Sequence, residues 1–433
     1  MIRFLSIILA GILTSFFVFP IELTFFPYAN TKMMLAFLGL LLFLFRMTGK
    51  GQVCSKDFIT VSLFAVGVSF ASLVAIILNS TEDITYVSYI ISMWVWLGAA
   101  YFVTQIIKQL HGTISLELIC FYIVGVGVFQ CVMAILIDMY VPIKEFVRLF
   151  LAGNSNMGNV EGRLYGIGCS TDVGGGRLAA ILIMNMWLLL HSIKNKKNNI
   201  RINCLLISFL IISILGNMVA RTTSVGMLLS IVWFCIAIGI IGEISKENKQ
   251  YIIKLFSIVL LLSVCIMTYL YQTDTFWKNY LRFGFEGFFS LVEKGEWDVH
   301  SNNMLKEGYI FPDNLKTWLI GDGYIADPDL DPYYIGPASW GFYMNTDVGY
   351  SRFIFYFGLL GLCTFSMFFI HITQICIKRF KQDYLLFLFL LILHFAIWMK
   401  VTTDIFVMFA MFLCVSSTEN EIYERNKSIS NID

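Results

Sequence analysis

The chain has 433 residues, of which 58% are hydrophobic and 14% charged, and its formal net charge is +1. Ordinary soluble domains carry about 25% charged residues, and the mean hydropathy here is +0.77. That composition excludes an ordinary soluble two- or three-domain protein, and the near-neutral charge gives no reason to expect a nucleic-acid partner.

The apolar residues arrive in long uncharged runs. A spanning helix needs about 20 of them, because each adds about 1.5 Å against a hydrocarbon core of about 30 Å. In chain order, residues 4–19 and 23–45 form two runs, the second interrupted by Pro27 and Lys32. The first could be read as a signal peptide after Arg3. Its exit, Phe19-Pro20-Ile21-Glu22, offers no small-x-small cleavage site, so a retained span is expected. Residues 58–78, 84–107 and 118–137 are uncharged throughout. Runs at 178–193, 202–219, 222–241 and 255–271 follow, then an uncharged run at 353–377. The last apolar stretch, 384–415, reads as two short spans hinged at Lys400 rather than one long one. The expectation is an all-α polytopic membrane protein of about twelve transmembrane helices with one large external loop.

The basic residues set the orientation. With the N-terminus inside, Lys194, Lys196, Lys197, Arg201, Lys378 and Arg379 all fall in inner loops, and the short outer loops hold far fewer. This satisfies the positive-inside rule. It divides the chain into spans one to five (1–138), an external loop (139–176), spans six to nine (177–270), a large external loop (271–345), spans ten to twelve (346–415) and a polar tail (416–433). Both termini are then cytoplasmic.

The ten cysteines make no disulfide framework. Most lie in apolar runs, where they act as small hydrophobes, and no Cys/His spacing suits zinc. No metal or other cofactor is expected.

Function is expected in the two outer loops. The first opens with an amphipathic stretch at 143–151, passes through a turn-rich segment at 153–159, and reaches Gly162-Arg163-Leu-Tyr-Gly-Ile-Gly168 and Gly174-Gly-Gly-Arg177. Six glycines between 162 and 176 let backbone amides approach an anion. Gly166-Ile-Gly168 lacks the strand and helix context of a dinucleotide fingerprint. The second loop is rich in aromatic rings and holds 11 acids against 5 lysines or arginines. Such rings suit the C–H face of a sugar, or pack a small external subdomain. Asp327-Pro-Asp329-Leu-Asp331-Pro resembles the start of a calcium loop, but Pro332 and Ala338 stand at its glycine and glutamate positions, so it reads as an acidic turn.

Arg163, Arg177, Arg221, Asp347, Arg352 and Lys400 map to the outer ends of spans or to the first outer loop. An ionisable group at membrane depth costs about 2.5–3.5 kcal/mol on insertion scales and so has a partner or a role. Arginine offers phosphate a planar, permanently charged fork. For Arg177 and Lys400 the simpler reading is snorkelling or local pairing, Lys400 with Asp404 one turn on. Asp347 precedes a long apolar helix and could be its N-cap.

Four segments resemble the Wzy-type O-antigen and capsular polysaccharide polymerases and, more broadly, the O-antigen ligases. They are Gly162–Gly168, Ala220-Arg221-Thr-Thr-Ser-Val-Gly226, Trp318-Leu-Ile-Gly321-Asp-Gly323-Tyr, and Thr346-Asp347-Val-Gly349-Tyr350-Ser-Arg352 leading into Tyr356-Phe-Gly358-Leu-Leu-Gly361. The ligase branch has a histidine near the position of Asp347, which this chain lacks, so polymerase is preferred to ligase. The resemblance implies a glycosyltransferase of the bacterial cytoplasmic membrane that joins oligosaccharide repeats linked to undecaprenyl diphosphate, without nucleotide sugar or metal. It implies substrate-binding roles for Arg163, Arg177, Arg221, Tyr350 and Arg352, and a general-base role for Asp347. A flippase and a chain-length regulator would be its partners. A lipid-linked-oligosaccharide flippase or other transporter is the competing class, although the strongest spans carry no charge and the halves show no repeat.

Overall fold

The computed structural model describes residues 2–50, 55–151, 162–195, 198–239, 246–326 and 342–416. The turn-rich 153–159 segment, Asp327 to Asp331, and the tail from 417 lie outside them. In chain order the helices begin with α1 (Ile2–Val18), α2 (Thr31–Lys50), α3 (Lys56–Asn79), α4 (Tyr89–His111), α5 (Leu116–Met139) and the amphipathic α6 (Val141–Phe150). Next come α7 (Thr171–Lys194), α8 (Asn199–Val219), α9 (Thr223–Gly239) and α10 (Lys246–Thr273). Four short helices occupy the large loop: α11 (Thr275–Gly284), α12 (Glu286–Lys294), α13 (His300–Gly308) and α14 (Leu315–Ile320). The chain then forms α15 (Gly349–Arg379), α16 (Tyr384–Trp398) and α17 (Phe406–Leu413).

Among the described residues nine helices are long and apolar enough to cross a bilayer, and α1 and α9 are shorter apolar helices. Large hydrophobic side chains such as Phe45, Leu63, Phe70 and Leu261 stand exposed on them. Lipid accepts those side chains but offers the backbone no hydrogen bond, so helices that satisfy their own amides are the form these runs take. The chain is an all-α polytopic membrane protein.

Two expected boundaries move. Residues 22–30 do not join the second span: β1 (Glu22–Leu23) and β2 (Phe26–Asn30) pair as an antiparallel hairpin, with Glu22 opposite Asn30. Pro27 lies in β2, where its missing N–H and fixed φ disfavour helix, and α2 starts only at Thr31. In place of the expected final span stands α17, eight residues and about 12 Å of helix, too short to cross a core of about 30 Å by itself. All eight are apolar, and Phe406 to Phe412 are buried. The stretch from Val401 to Ile405 is not helical, so the one-turn spacing expected of Lys400 and Asp404 does not apply. Asp404 Oδ1 accepts from Phe406 N at 2.9 Å at the start of α17.

The chain forms two units. The first comprises Met1–Leu35, Val103–Trp297 and Val415–Asp433. Its centre is α7, buried at every residue from Leu178 to Leu189 and packed against α5, α8 and α9. A Cβ at Gly226 would meet the Ala179 backbone at 2.3 Å, so that glycine sets how closely α9 approaches α7. The second unit comprises Ala36–Phe102 and Asp298–Cys414. Its centre is α15, packed on α3, α14, α16 and α17.

Within the second unit α15 is broken. Phe357 (φ −134°) and Gly358 (φ +64°, ψ −170°) leave helical geometry. A break in a helix frees carbonyls that must find new donors. Asp322 N donates to Phe355 O at 2.6 Å and Gly323 N to Tyr356 O at 3.1 Å. The close approach needs glycine on each side: a Cβ at Gly321 would lie 2.5 Å from the Tyr356 carbonyl, and one at Gly358 2.3 Å from the Leu319 backbone. Two of the sequence motifs, Trp318–Tyr324 and Tyr356–Gly361, are thus one joint.

Candidate functional site

The first unit holds Arg163, Arg177 and Arg221, and the second holds Asp347, Tyr350 and Arg352. Each group is built by its own local structure.

In the first unit the glycine-rich loop is fixed before it presents Arg163. Leu164 and Tyr165 are buried, and Tyr165 packs with Ile21, Ile137, Val147 and Leu151. Leu164 N donates to Met218 O at 3.0 Å, tying the loop to the end of α8. Gly166 N donates to Cys169 O at 2.7 Å. Gly168, at φ +74°, fits where a Cβ would strike the Phe19 carbonyl. Burial pushes the Cys169 thiol up to about 12, with the Arg177 charge acting the other way.

Arg221 sits in the tight turn between α8 and α9. That turn is pinned by Thr223 Oγ1 donating to Gly216 O at 3.0 Å and by Thr222 Oγ1 donating to Asp172 Oδ1 at 2.5 Å. The two arginines share one ring. The Arg163 guanidinium carbon lies 5.0 Å from the centroid of Phe283 and that of Arg221 lies 4.8 Å from it. Both lie within about 6 Å of the ring centroid, the range in which its face attracts a cation, so Phe283 helps to hold both. Burial and the neighbouring Arg163 charge lower the Arg221 pKa from its usual value, while Asp172 opposes them. Glu286, at the start of α12, forms an ion pair with Arg221. Arg163 pairs with no carboxylate among the described residues. Arg177 lies elsewhere in this unit, 6.0 Å from the Phe19 ring.

In the second unit Arg352 stands in the first turn of α15. Its Nη2 donates to Ile325 O at 3.0 Å and its Nη1 to Thr402 Oγ1 at 3.3 Å. The guanidinium carbon lies 4.1 Å from the Phe342 centroid. Its Nε is buried with no hydrogen-bond partner. Arg352 is therefore held by neutral oxygens and a ring, and no carboxylate among the described residues forms an ion pair with it. Asp347 and Asp83 act on it through space.

Asp83 positions the acceptor that Arg352 uses. Its Oδ2 accepts from Ile325 N at 2.8 Å and Ala326 N at 3.4 Å, and its carbonyl accepts from Tyr356 Oη at 2.7 Å. Asp347 is not the N-cap of α15. That position is Val348, and Thr346 Oγ1 accepts from Val348 N at 3.2 Å. Tyr350 turns to α16, donating to Phe395 O at 3.1 Å, with its ring edge-on to Trp398.

Residue type and spacing drew attention to the arginines but not to their partners. Phe283 is one of many rings in the large loop, and nothing local distinguishes it. Thr402, Ile325 and Phe342 meet Arg352 through tertiary packing. Asp83 carried a readable sign, since Asp83 Oδ1 accepts from Thr85 N two residues on, the Asx-turn that Asp before a polar residue favours. Chemically, each unit offers a partly buried guanidinium, which binds an anion more strongly than an exposed one does. Among the described residues no group of three His, Cys, Asp or Glu side chains is placed to hold a metal ion. Comparison with protein-family models, with curated proteins and with solved structures finds no match to this chain.

Proposed function

We propose that this protein is a polysaccharide polymerase of the bacterial cytoplasmic membrane, joining oligosaccharide repeats carried on undecaprenyl diphosphate at the outer face. The observation that carries the reading is Arg352: a guanidinium in the first turn of a spanning helix, held by Ile325 O, Thr402 Oγ1 and the Phe342 ring, with its Nε unpartnered. A cation in that first turn with no paired carboxylate among the described residues suits an anionic ligand that supplies the missing charge. The Arg163 and Arg221 pair on Phe283 supports the same chemistry.

In this reading the acceptor hydroxyl oxygen attacks the anomeric carbon of the donor glycan. The bond from that carbon to the lipid diphosphate breaks, and the diphosphate leaves with the electron pair. Arginines neutralise the charge that develops on it. Arg163 and Arg221 take the donor diphosphate, Arg352 takes donor or acceptor phosphate, and Asp347 receives the hydroxyl proton or orients the hydroxyl. Both termini are cytoplasmic, following the lysines and arginines of the inner loops.

The test is complementation in cells that make the polymer. Arg163→Ala, Arg221→Ala, Arg352→Ala and Asp347→Asn should each shorten or abolish the glycan ladder while the protein stays in the membrane. Normal chain length from all four, at normal abundance, overturns the assignment. Lipid movement between leaflets without chain elongation would make the protein a flippase.

A further inference from the structure

The first unit carries a cavity of about 610 Å³ between α1 and α5. Its walls are apolar, and Ile8, Ile12 and Phe129 along it are exposed, so it opens toward the bilayer. Two glycines shape it. Gly11 on α1 and Gly125 on α5 both line it, and a Cβ at either would meet nothing within 4 Å. Gly127, two residues along α5, is the contrast: a Cβ there would press on Ile181 at 2.8 Å. Gly127 serves packing against α7, whereas Gly11 and Gly125 border open space.

The two ends differ. One is marked by His111 and Tyr122, whose side chains are hydrogen-bonded at 3.0 Å. The other is marked by Ile167, whose carbonyl accepts from Gln130 Nε2 at 2.8 Å, while the same Nε2 also donates to Ser15 Oγ at 3.0 Å. Ile167 belongs to the glycine-rich loop that presents Arg163 four residues earlier. An apolar channel open to lipid therefore ends at the loop that offers a cation with no paired carboxylate among the described residues. That is the complement of an amphiphile with a hydrocarbon chain and an anionic head.

We infer that the α1–α5 groove binds the isoprenoid chain of the lipid whose diphosphate Arg163 takes. The inference rests on the polymerase reading, which supplies a polyprenyl diphosphate as the ligand. The glycines at positions 11 and 125 leave the width for a branched chain, and the loop fixes the head at one end.

Full-length protein in nanodiscs is titrated with farnesyl diphosphate, with inorganic diphosphate and with a straight-chain alkyl diphosphate of equal carbon number. The wild type should bind farnesyl diphosphate at least about tenfold more tightly than inorganic diphosphate. Gly125→Leu and Gly11→Leu place side chains in open space, so they should fold, close that gap and leave inorganic diphosphate binding unchanged. Gly239→Leu on α9, also with nothing within 4 Å, should leave both affinities unchanged. An undiminished gap in both groove variants shows that the chain lies elsewhere and overturns the inference while sparing the headgroup reading. Equal binding of the straight-chain compound overturns the isoprenoid assignment. Failure of the wild type to bind either diphosphate overturns the headgroup reading and the groove with it.

Discussion

Arg163 and Arg221, from a glycine-rich loop and a helix–helix turn far apart in sequence, lie over one ring, their guanidinium carbons 5.0 and 4.8 Å from the centroid of Phe283. Two like charges so placed repel, and the ring and the nearby carboxylates Glu286 and Asp172 are what this unit sets against that repulsion. Removing the ring should therefore weaken anion binding without removing a charge. A cation–π contact contributes about 0.5–1 kcal/mol at exposed sites, so Phe283→Leu should bind inorganic diphosphate roughly two- to fivefold more weakly. Phe283→Trp should keep most of the affinity. Calorimetry on nanodisc-embedded protein reads both, and equal affinities for the Leu and Trp variants would show that the ring only fills space.

Glu286 competes with any anion for Arg221. Glu286→Gln removes the competing charge and keeps the shape. Diphosphate should then bind about three- to tenfold more tightly at low salt, with the gain shrinking as ionic strength rises. Weaker binding in this variant would make Glu286 a support for Arg221 rather than a competitor.

The broken helix α15 makes a stability prediction. Gly358 has φ +64°, and a Cβ on it would lie 2.3 Å from the Leu319 backbone. Gly358→Ala adds left-handed strain of about 1–3 kcal/mol to that clash. Membrane abundance and melting temperature should both fall. Gly11→Ala should do the opposite by about 0.5–1 kcal/mol, since an open helical glycine gains from a methyl group. A Gly358→Ala protein as stable as wild type would mean that α15 can straighten.

Much of this architecture was legible in the sequence, because a spanning helix announces itself by about 20 residues without charge. The break at Gly358 was hidden inside such a run, since the residues that satisfy Phe355 O and Tyr356 O are Asp322 and Gly323 in the large loop. The hairpin at Glu22–Asn30 was obscured because Phe25, Phe26 and Tyr28 are as apolar as helix residues. Candidate arginines stood out by their depth in the expected topology. Their supports, Phe283, Ile325 and Thr402, are common residue types brought in by tertiary packing, and no local pattern encodes them.

Cys169 makes the stability of the fold sensitive to alkaline pH. Burial raises its thiol to about 12 in the folded protein, against about 8.5 for an unfolded cysteine. The folded state keeps the thiol neutral where the unfolded chain would ionise it. Its contribution to stability is whole below about pH 8.5 and is lost as pH rises toward 12. The wild type should lose more thermal stability than Cys169→Ser between pH 8 and pH 10.5. Parallel losses would place the pH-sensitive group elsewhere. At pH 8 the folded protein should also resist maleimide at this position.

Arg352 has the proposed role of binding an anionic lipid headgroup. Its most direct test is elongation by purified protein in nanodiscs, given only a lipid-diphosphate-linked repeat unit and read as a ladder on a gel. Wild-type protein should build the ladder. Arg352→Ala should build none, and Arg352→Lys should retain partial activity, because it keeps the charge but loses the planar fork. A full ladder from folded Arg352→Ala protein would contradict the account.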